Sequence, residues 1–403
     1  MPRARRGRGR PGPLTVDAFT FRTVPQLVWG PGTVGELAAH CRAVAMTRPL
    51  LVTDPGLAAL GLVPPLAAAL EKEGLAVTLF ADVREDPPEA VVLACADRAR
   101  AAGADGVVAV GGGSSMDTAK VVAVLLGGDQ PLPALYGVDQ VRGGRLPLVL
   151  VPTTAGTGSE ATPVAVITTG ETTKAGVSSP VLLPDIAVLD PALTLGLPPR
   201  VTAMTGIDAM VHAIEAYTSR HKKNPVSDTL ARSALALLAG NLRTAVRDGG
   251  DLEARAAMLL GAFQAGQAFA NAPVAAVHAL AYPLGGRYHL PHGLSNSLVL
   301  PSVLAFNAPV AAARYAELAP LVLGRGVTGS DAARSDALID ALRALIDDVG
   351  LPATLSAAGV AERDLPALAA AALEQQRLLV NNPRAVALED ALAIYRAAFG
   401  AAA

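Results

Sequence analysis

Asp208 and His212 stand four residues apart in the apolar stretch TGIDAMVHAIEAY, residues 205–217. On a helix, positions i and i+4 share one face a turn apart, so a carboxylate and an imidazole placed there could chelate a single ion. The plainer alternative is an Asp beside a half-buried His with nothing bound. A second stretch, VHALAYPLGGRYHLPHGLSNS, supplies further candidates. His278 sits in apolar helical sequence, Gly285 and Gly286 break it, and His292 follows just before Gly293, with His289 as a rival at similar distance. The chain has six histidines, and His40 and His221 read as ordinary surface residues. One carboxylate with three neutral imidazoles suits a borderline divalent ion, Fe(II) or alternatively Zn(II). Calcium or magnesium would ask for more oxygens.

A different chemistry is suggested by VVAVGGGSSMDTAK, where Gly111, Gly112 and Gly113 close a strand and Ser114, Ser115 and Asp117 open a helix. Glycines admit a phosphate close to the backbone, and the free N–H groups and positive dipole of the helix start can bind it. A Ser-capped tight turn would look the same. The stretch is neither GxGxxG nor a P-loop, and Met116 stands where a serine-hydrolase elbow needs Gly. Asp54 ends another strand, LLVTD, where a carboxylate can accept ribose hydroxyls, or simply cap a helix. VPTTAGTGSEATPVAVIT gathers Thr153, Thr154, Thr157, Ser159 and Thr162 around two glycines; these hydroxyls could line a cofactor or satisfy their own backbone.

These residues need elements to hold them. From about Phe19 to Leu197, short β-branched runs (PLLVTD, LAVTLF, DGVVAVGGG, LPLVLVPT, IAVLD) alternate with helical stretches, which argues for a parallel sheet covered on both faces. After LGLPPR the strand signals nearly vanish, and Ala, Leu and charged residues recur at helical spacing. The spacing predicts a basic tail over 1–16, an α/β dinucleotide domain over 17–198 and an all-helical metal-binding domain over 199–403, with a ligand cleft between the two.

With 403 residues and 51% hydrophobic content the chain folds rather than staying disordered. A net charge of −2 gives no reason to expect a nucleic-acid partner. No unbroken apolar run reaches the length of a membrane span, so no membrane partner is expected. The tail, MPRARRGRGRPGP, carries five arginines and no acid, and it lacks the pattern of a transit or secretory signal. Two cysteines, Cys41 and Cys95, exclude a disulfide scaffold and fit a cytoplasmic location.

Taken together, GGGSSMDTAK, PTTAGTGSEAT, LPDIAVLDPALTLGLPP, TGIDAMVHAIEAYTS, HALAYPLGG, PHGLSN and the late NNPRAV resemble the iron-containing, or group III, alcohol dehydrogenase family over nearly the whole chain after the tail. The resemblance implies a Rossmann-like dinucleotide domain followed by a helical domain, with the site between them. It implies metal ligands at Asp208, His212, His278 and His292, against His289. It also implies a pyrophosphate turn at Gly112, Gly113 and Ser114 with Asp117 nearby, a hydroxyl loop at Thr153, Thr154, Thr157 and Thr162, and a cofactor-side lysine at Lys174. Its ribose acid falls on Asp54, which implies NAD over NADP.

Two positions depart from the family's pattern. Tyr282 stands where many members have a second His one turn after the third ligand, proposed to relay protons. A phenol, with pKa about 10, could do that only beside a cation; otherwise it is a pocket wall. Asp86-Pro87 stands where Asn-Pro is usual. The implied activity is hydride transfer between a small alcohol and NAD, or the reverse reduction of an aldehyde or ketone, by a homo-oligomer, expected to be a dimer. Rival readings are a dehydroquinate synthase-like lyase, which would need a basic phosphate clamp, a maleylacetate reductase-like enzyme, whose ligand set differs, and a non-catalytic metal- or nucleotide-binding scaffold.

Overall fold

The computed structural model describes residues 18–170 and 173–400; the basic tail expected over 1–16 lies outside the described residues. Among the described residues nine strands form two sheets: β1 (Gln26–Trp29), β2 (Pro49–Val52), β3 (Thr78–Phe80), β4 (Gly106–Gly111), β5 (Gly137–Val138), β6 (Leu148–Pro152), β7 (Val164–Thr169), β8 (Thr173–Ser178) and β9 (Ile186–Leu189). The larger sheet has the order β1-β9-β6-β4-β2-β3 and is parallel throughout. Its central strands β4 and β6 are buried on both faces, which is why they read as unbroken apolar runs. Val107, Ala109, Leu148 and Leu150 enter one core, and Val108, Val110, Val149 and Val151 the other. Helices α1 (Leu37–Ala43), α2 (Pro55–Ala59), α3 (Val63–Lys72), α4 (Glu89–Ala102) and α5 (Gly113–Gly127) connect these strands.

The smaller sheet, β5-β8-β7, was not legible in the sequence. Residues 164–169 and 173–178 pair antiparallel, and the hairpin lies beside the hydroxyl loop. Its alternation is half-buried and rich in Thr, so it reads as a continuation of the loop.

Among the described residues no strand follows β9. The remaining helices are α6 (Pro199–Thr218), α7 (Pro225–Arg247), α8 (Leu252–Asn271), α9 (Ala276–Tyr288), α10 (His292–Leu323), α11 (Asp331–Asp348), α12 (Leu365–Leu373), α13 (Gln376–Leu379) and α14 (Leu388–Phe399). Their starts are chemically marked. Pro199 begins α6, and the side chains of Asn224 and Asp251 accept from the backbone N–H of Ser227 and Ala254 to cap α7 and α8. Helix α6 packs against α7, α8 and α10 and is buried all round from Gly206 to Thr218. An interior helix of that kind is normally apolar throughout, so Asp208, His212 and Glu215 within it need partners.

The halves meet through bare backbone. A side-chain carbon added at Gly158 would lie 2.7 Å from Gly266 Cα on α8, and one added at Gly266 would lie 2.8 Å from the Gly158 carbonyl. Gly158 also has φ of +59°, the left-handed region.

Candidate metal and cofactor site

The partners of Asp208 come from three helices. Its Oδ1 lies 4.0 Å from His212 Nε2 on the same helix, 4.0 Å from His278 Nε2 on α9 and 3.7 Å from His292 Nε2 at the start of α10. Two atoms each about 2.0–2.2 Å from one ion can stand up to about 4 Å apart, so these separations fit a common ion. Ligand atoms of Asp208, His278 and His292 all lie within 4.8 Å of one another; His212 stands just outside that group, beyond Asp208. The His212 ring stacks on Phe269 at 4.3 Å and on His278 at 4.8 Å. Gly293 makes the arrangement possible: a side-chain carbon there would come within 2.3 Å of the Met204 carbonyl, so only Gly lets the first turn of α10 press onto α6. His289, the rival ligand, is the exposed left-handed residue that ends α9 and takes no part.

Burial drives the His212 imidazole down to about 3 and the His292 imidazole down to about 4, with Asp208 opposing in each case. Both rings are therefore neutral near pH 7 and keep a lone pair for an ion. Burial also works against the charge on Asp208, but the facing imidazoles and the Asn296 amide outweigh it and hold the carboxyl below its ordinary range. One carboxylate and neutral imidazoles converging at these distances fit a borderline divalent ion.

Glu215 was not singled out in the sequence. Its Oε2 lies 2.6 Å from His278 Nδ1 and accepts from the Ala275 N–H, while Oε1 accepts from the Val277 N–H at 2.7 Å. A carboxylate on Nδ1 fixes the proton there and turns the Nε2 lone pair toward Asp208. The available signal was an acid one turn beyond His212 in a helix otherwise apolar.

On the sheet side, β4 ends at Gly111 and α5 opens at Gly113. The hydroxyl loop packs directly on this turn. Thr153 donates its N–H to the Gly111 carbonyl, and Thr154 and Thr157 lie against the positions where Gly112 and Gly113 lack side chains. Ser114 is half-buried in the first helical turn. Asp117 faces inward: it accepts from Ser159 Oγ at 2.6 Å and from the Val166 N–H at 2.8 Å. Thr162 is buried, and Lys120 Nζ donates to its hydroxyl and to the Val164 carbonyl at 2.7 Å. Lys120 also stands 3.8 Å from Asp117. Burial pushes Asp117 up, Lys120 down to about 8 and the nearby Glu160 up to about 7.

Asp54 caps α2, with Oδ1 accepting from the Leu57 N–H at 3.0 Å, at the carboxyl end of β2. Lys174 on β8 pairs with Asp86 at 2.6 Å. Asp86 has φ of +50°, a conformation Asn and Asp adopt more readily than other side chains, which accounts for the residue type at this position. The fields of both Lys174 and Asp86 reach His292. Gly156 of the hydroxyl loop packs on α6: a side-chain carbon added there would lie 2.6 Å from Thr205 Cβ, so the threonine loop presses on the helix that carries Asp208 and His212. Tyr282 lies one turn beyond His278, its ring centre 5.8 Å from His292. Burial raises its hydroxyl pKa; the nearby Arg377, acting as a charge and as a donor, opposes this and does not overcome it.

A parallel-sheet domain whose strand ends face a helical domain with an Asp/His cluster defines a class of metal-dependent, dinucleotide-type oxidoreductases. The comparisons make the assignment more specific. Residues 25–191 match the family described as iron-containing alcohol dehydrogenase, and residues 202–399 match the C-terminal part of the Fe-containing alcohol dehydrogenase family. The chain is 40% identical over 393 residues to long-chain-alcohol dehydrogenase 1 of Geobacillus thermodenitrificans, covering 96% of this chain and 98% of the relative. Among solved structures, a 1,3-propanediol oxidoreductase superposes with a TM-score of 0.92 at 36% identity, covering 95% of this chain and all of that one. Sulfoacetaldehyde reductase from Bifidobacterium kashiwanohense in complex with NAD+ gives 0.86 at 29% identity, covering 96% and 100%. The chain belongs to the iron-containing alcohol dehydrogenase family and is an oxidoreductase of that family.

Proposed function

We propose that this protein interconverts a small alcohol and its aldehyde or ketone by hydride transfer with NAD, using a divalent metal, iron before zinc, held by Asp208, His212, His278 and His292. The observation that carries this reading is the meeting of two sites: the threonine loop that packs on the glycine turn also packs, at Gly156, on Thr205 of the helix that carries Asp208 and His212. An ion held there would polarise the oxygen of the alcohol or carbonyl.

The chain's own residues supply the rest. Gly112, Gly113 and Ser114 present backbone N–H groups to the pyrophosphate, and Thr153, Thr154 and Thr157 close over it. Asp117 and Thr162 serve the cofactor indirectly, by bracing that loop. The free oxygen of Asp54 accepts a ribose hydroxyl and repels a 2′-phosphate, favouring NAD over NADP. Lys174, paired with Asp86, sets the charge at the cofactor side of His292. With NAD bound, the space between the glycine turn and the Asp/His cluster would have to exclude water and bring the alcohol carbon to the nicotinamide. Tyr282 is a wall of the pocket, because a buried phenol with a raised pKa is a poor proton relay at neutral pH. A two-subunit assembly in the cytoplasm remains the expectation.

The test is anaerobic purification with metal analysis, then oxidation of NADH and NADPH against a panel of aldehydes and ketones. Metal-dependent turnover with NADH well above NADPH is expected; no turnover with any carbonyl in the Fe(II)-loaded protein would overturn the reading. Tyr282→Phe should change turnover less than about tenfold and mainly alter which substrates fit; a loss on the order of a hundredfold would make it the relay.

A further inference from the structure

Asn296, on α10 one turn beyond His292, is fully buried and sits inside the ring of metal-ligating atoms. Its Nδ2 is 2.6 Å from Asp208 Oδ1, 3.3 Å from His292 Nε2 and 3.4 Å from His278 Nε2. The amide therefore points at the same lone pairs an ion would use. Its other atom, Oδ1, is buried and has no hydrogen-bond partner among the described residues. A polar side chain so placed ordinarily has both ends satisfied.

The two facts have one resolution. An amide N–H group is the positive end of its dipole and is repelled by a cation, whereas the carbonyl oxygen is a neutral donor well suited to a divalent ion. Half a turn about the last side-chain bond of Asn exchanges the two atoms, and that torsion is broad and roughly two-fold. We propose that Asn296 turns its amide oxygen to the ion and is a fifth protein donor of the metal centre. This rests on the metal reading above and extends it. It also gives the residue a reason to be Asn: the side chain can donate to Asp208 in one orientation and bind a cation in the other, which neither Leu nor Asp can do.

The test measures ion affinity, not turnover. Wild type, Asn296→Leu, Asn296→Asp and His278→Ala are stripped of metal and checked for cooperative melting. Each is then titrated with Zn(II), and anaerobically with Fe(II), against a chromogenic chelator. Asn296→Leu should bind both ions at least about tenfold more weakly. Asn296→Asp keeps an oxygen and loses the N–H, so it should hold them at least as tightly as wild type. Wild-type affinity in Asn296→Leu would overturn the proposal. So would an Asn296→Asp variant that melts cooperatively yet binds weakly, because the N–H would then be the feature that matters. If Asn296→Leu does not fold, the Asp variant alone decides by the same criterion. Retention of the ion by His278→Ala would instead show that the metal reading itself is at fault.

Discussion

Beneath the glycine turn, Lys120 and Glu160 are packed away from water with the half-buried Asp117 beside them; across the interface, so are Asp208, His212 and His278, with His292 at their margin. The first cluster contains its own cation. Lys120 stands between the two acids and donates to Thr162 and Val164, and Asp117 is bonded to Ser159 and Val166. The second pairs with no lysine or arginine among the described residues: the His212 and His292 imidazoles are neutral near pH 7, and the lone pairs of several groups converge on one place. A buried ionic cluster with a cation of its own is holding a structure together. One short of a positive charge is built to receive it.

That contrast can be broken by mutation, and the largest effect should come from the metal side. His278→Ala should abolish stoichiometric metal binding and reduce turnover by a hundredfold or more, on the order of the loss of a principal catalytic group; elemental analysis and single-substrate kinetics check it. Lys120→Met removes the internal cation of the other cluster and leaves two acids uncompensated. It should cost about 3–5 kcal/mol in chemical denaturation while leaving ion affinity unchanged. A Lys120→Met variant that loses metal as well as stability would show that the two clusters are not separable.

Smaller changes sharpen the same distinction. Glu215→Gln keeps the size of the side chain but weakens its hold on His278 Nδ1, and should lower ion affinity about 10–100-fold in a chelator competition. The least effect concerns Glu160, whose carboxyl is pushed up to about 7 by burial. Unfolding frees it to ionise near its ordinary value of about 4.5. Between those values the folded state holds the extra proton, so raising pH favours unfolding and stability falls across the window. Glu160→Gln, which has no proton to lose, should flatten that slope in denaturation curves taken from pH 4.5 to 7.

The sequence pointed to the Asp/His cluster because few residues could form one. Six histidines, an i,i+4 pair in an apolar helix and a Gly-bounded loop left few arrangements, and the structure brings Asp208, His278 and His292 together. The parallel sheet was equally legible, since strands buried on both faces leave unbroken Val and Leu runs. What supports the ligands was not. Glu215 and Asn296 are single polar residues whose meaning depends on the partner each meets, His278 for Glu215 and Asp208 for Asn296, and those lie 63 and 88 positions away in the chain. Lys120 was not singled out either, because nothing local shows that Thr162 and Val164 will cover it. The hairpin β7–β8 escaped because its threonines resemble those of the loop before it, and with it went the pairing of Lys174 with Asp86.

The contact between Gly158 and Gly266 has a consequence for anyone recombining this protein with its relatives. Elsewhere along the seam a mismatched side chain can rotate, shorten or be traded for a better fit. Here there is nothing to trade: one partner is a carbonyl and the other a Cα, and a single added methyl on either side meets the opposite chain at under 3 Å. A chimera that takes its sheet half from one parent and its helical half from another must therefore inherit glycine from both. Where it does, two independently evolved halves should dock at the same separation, and a crossover at the start of α6 is the place to attempt it.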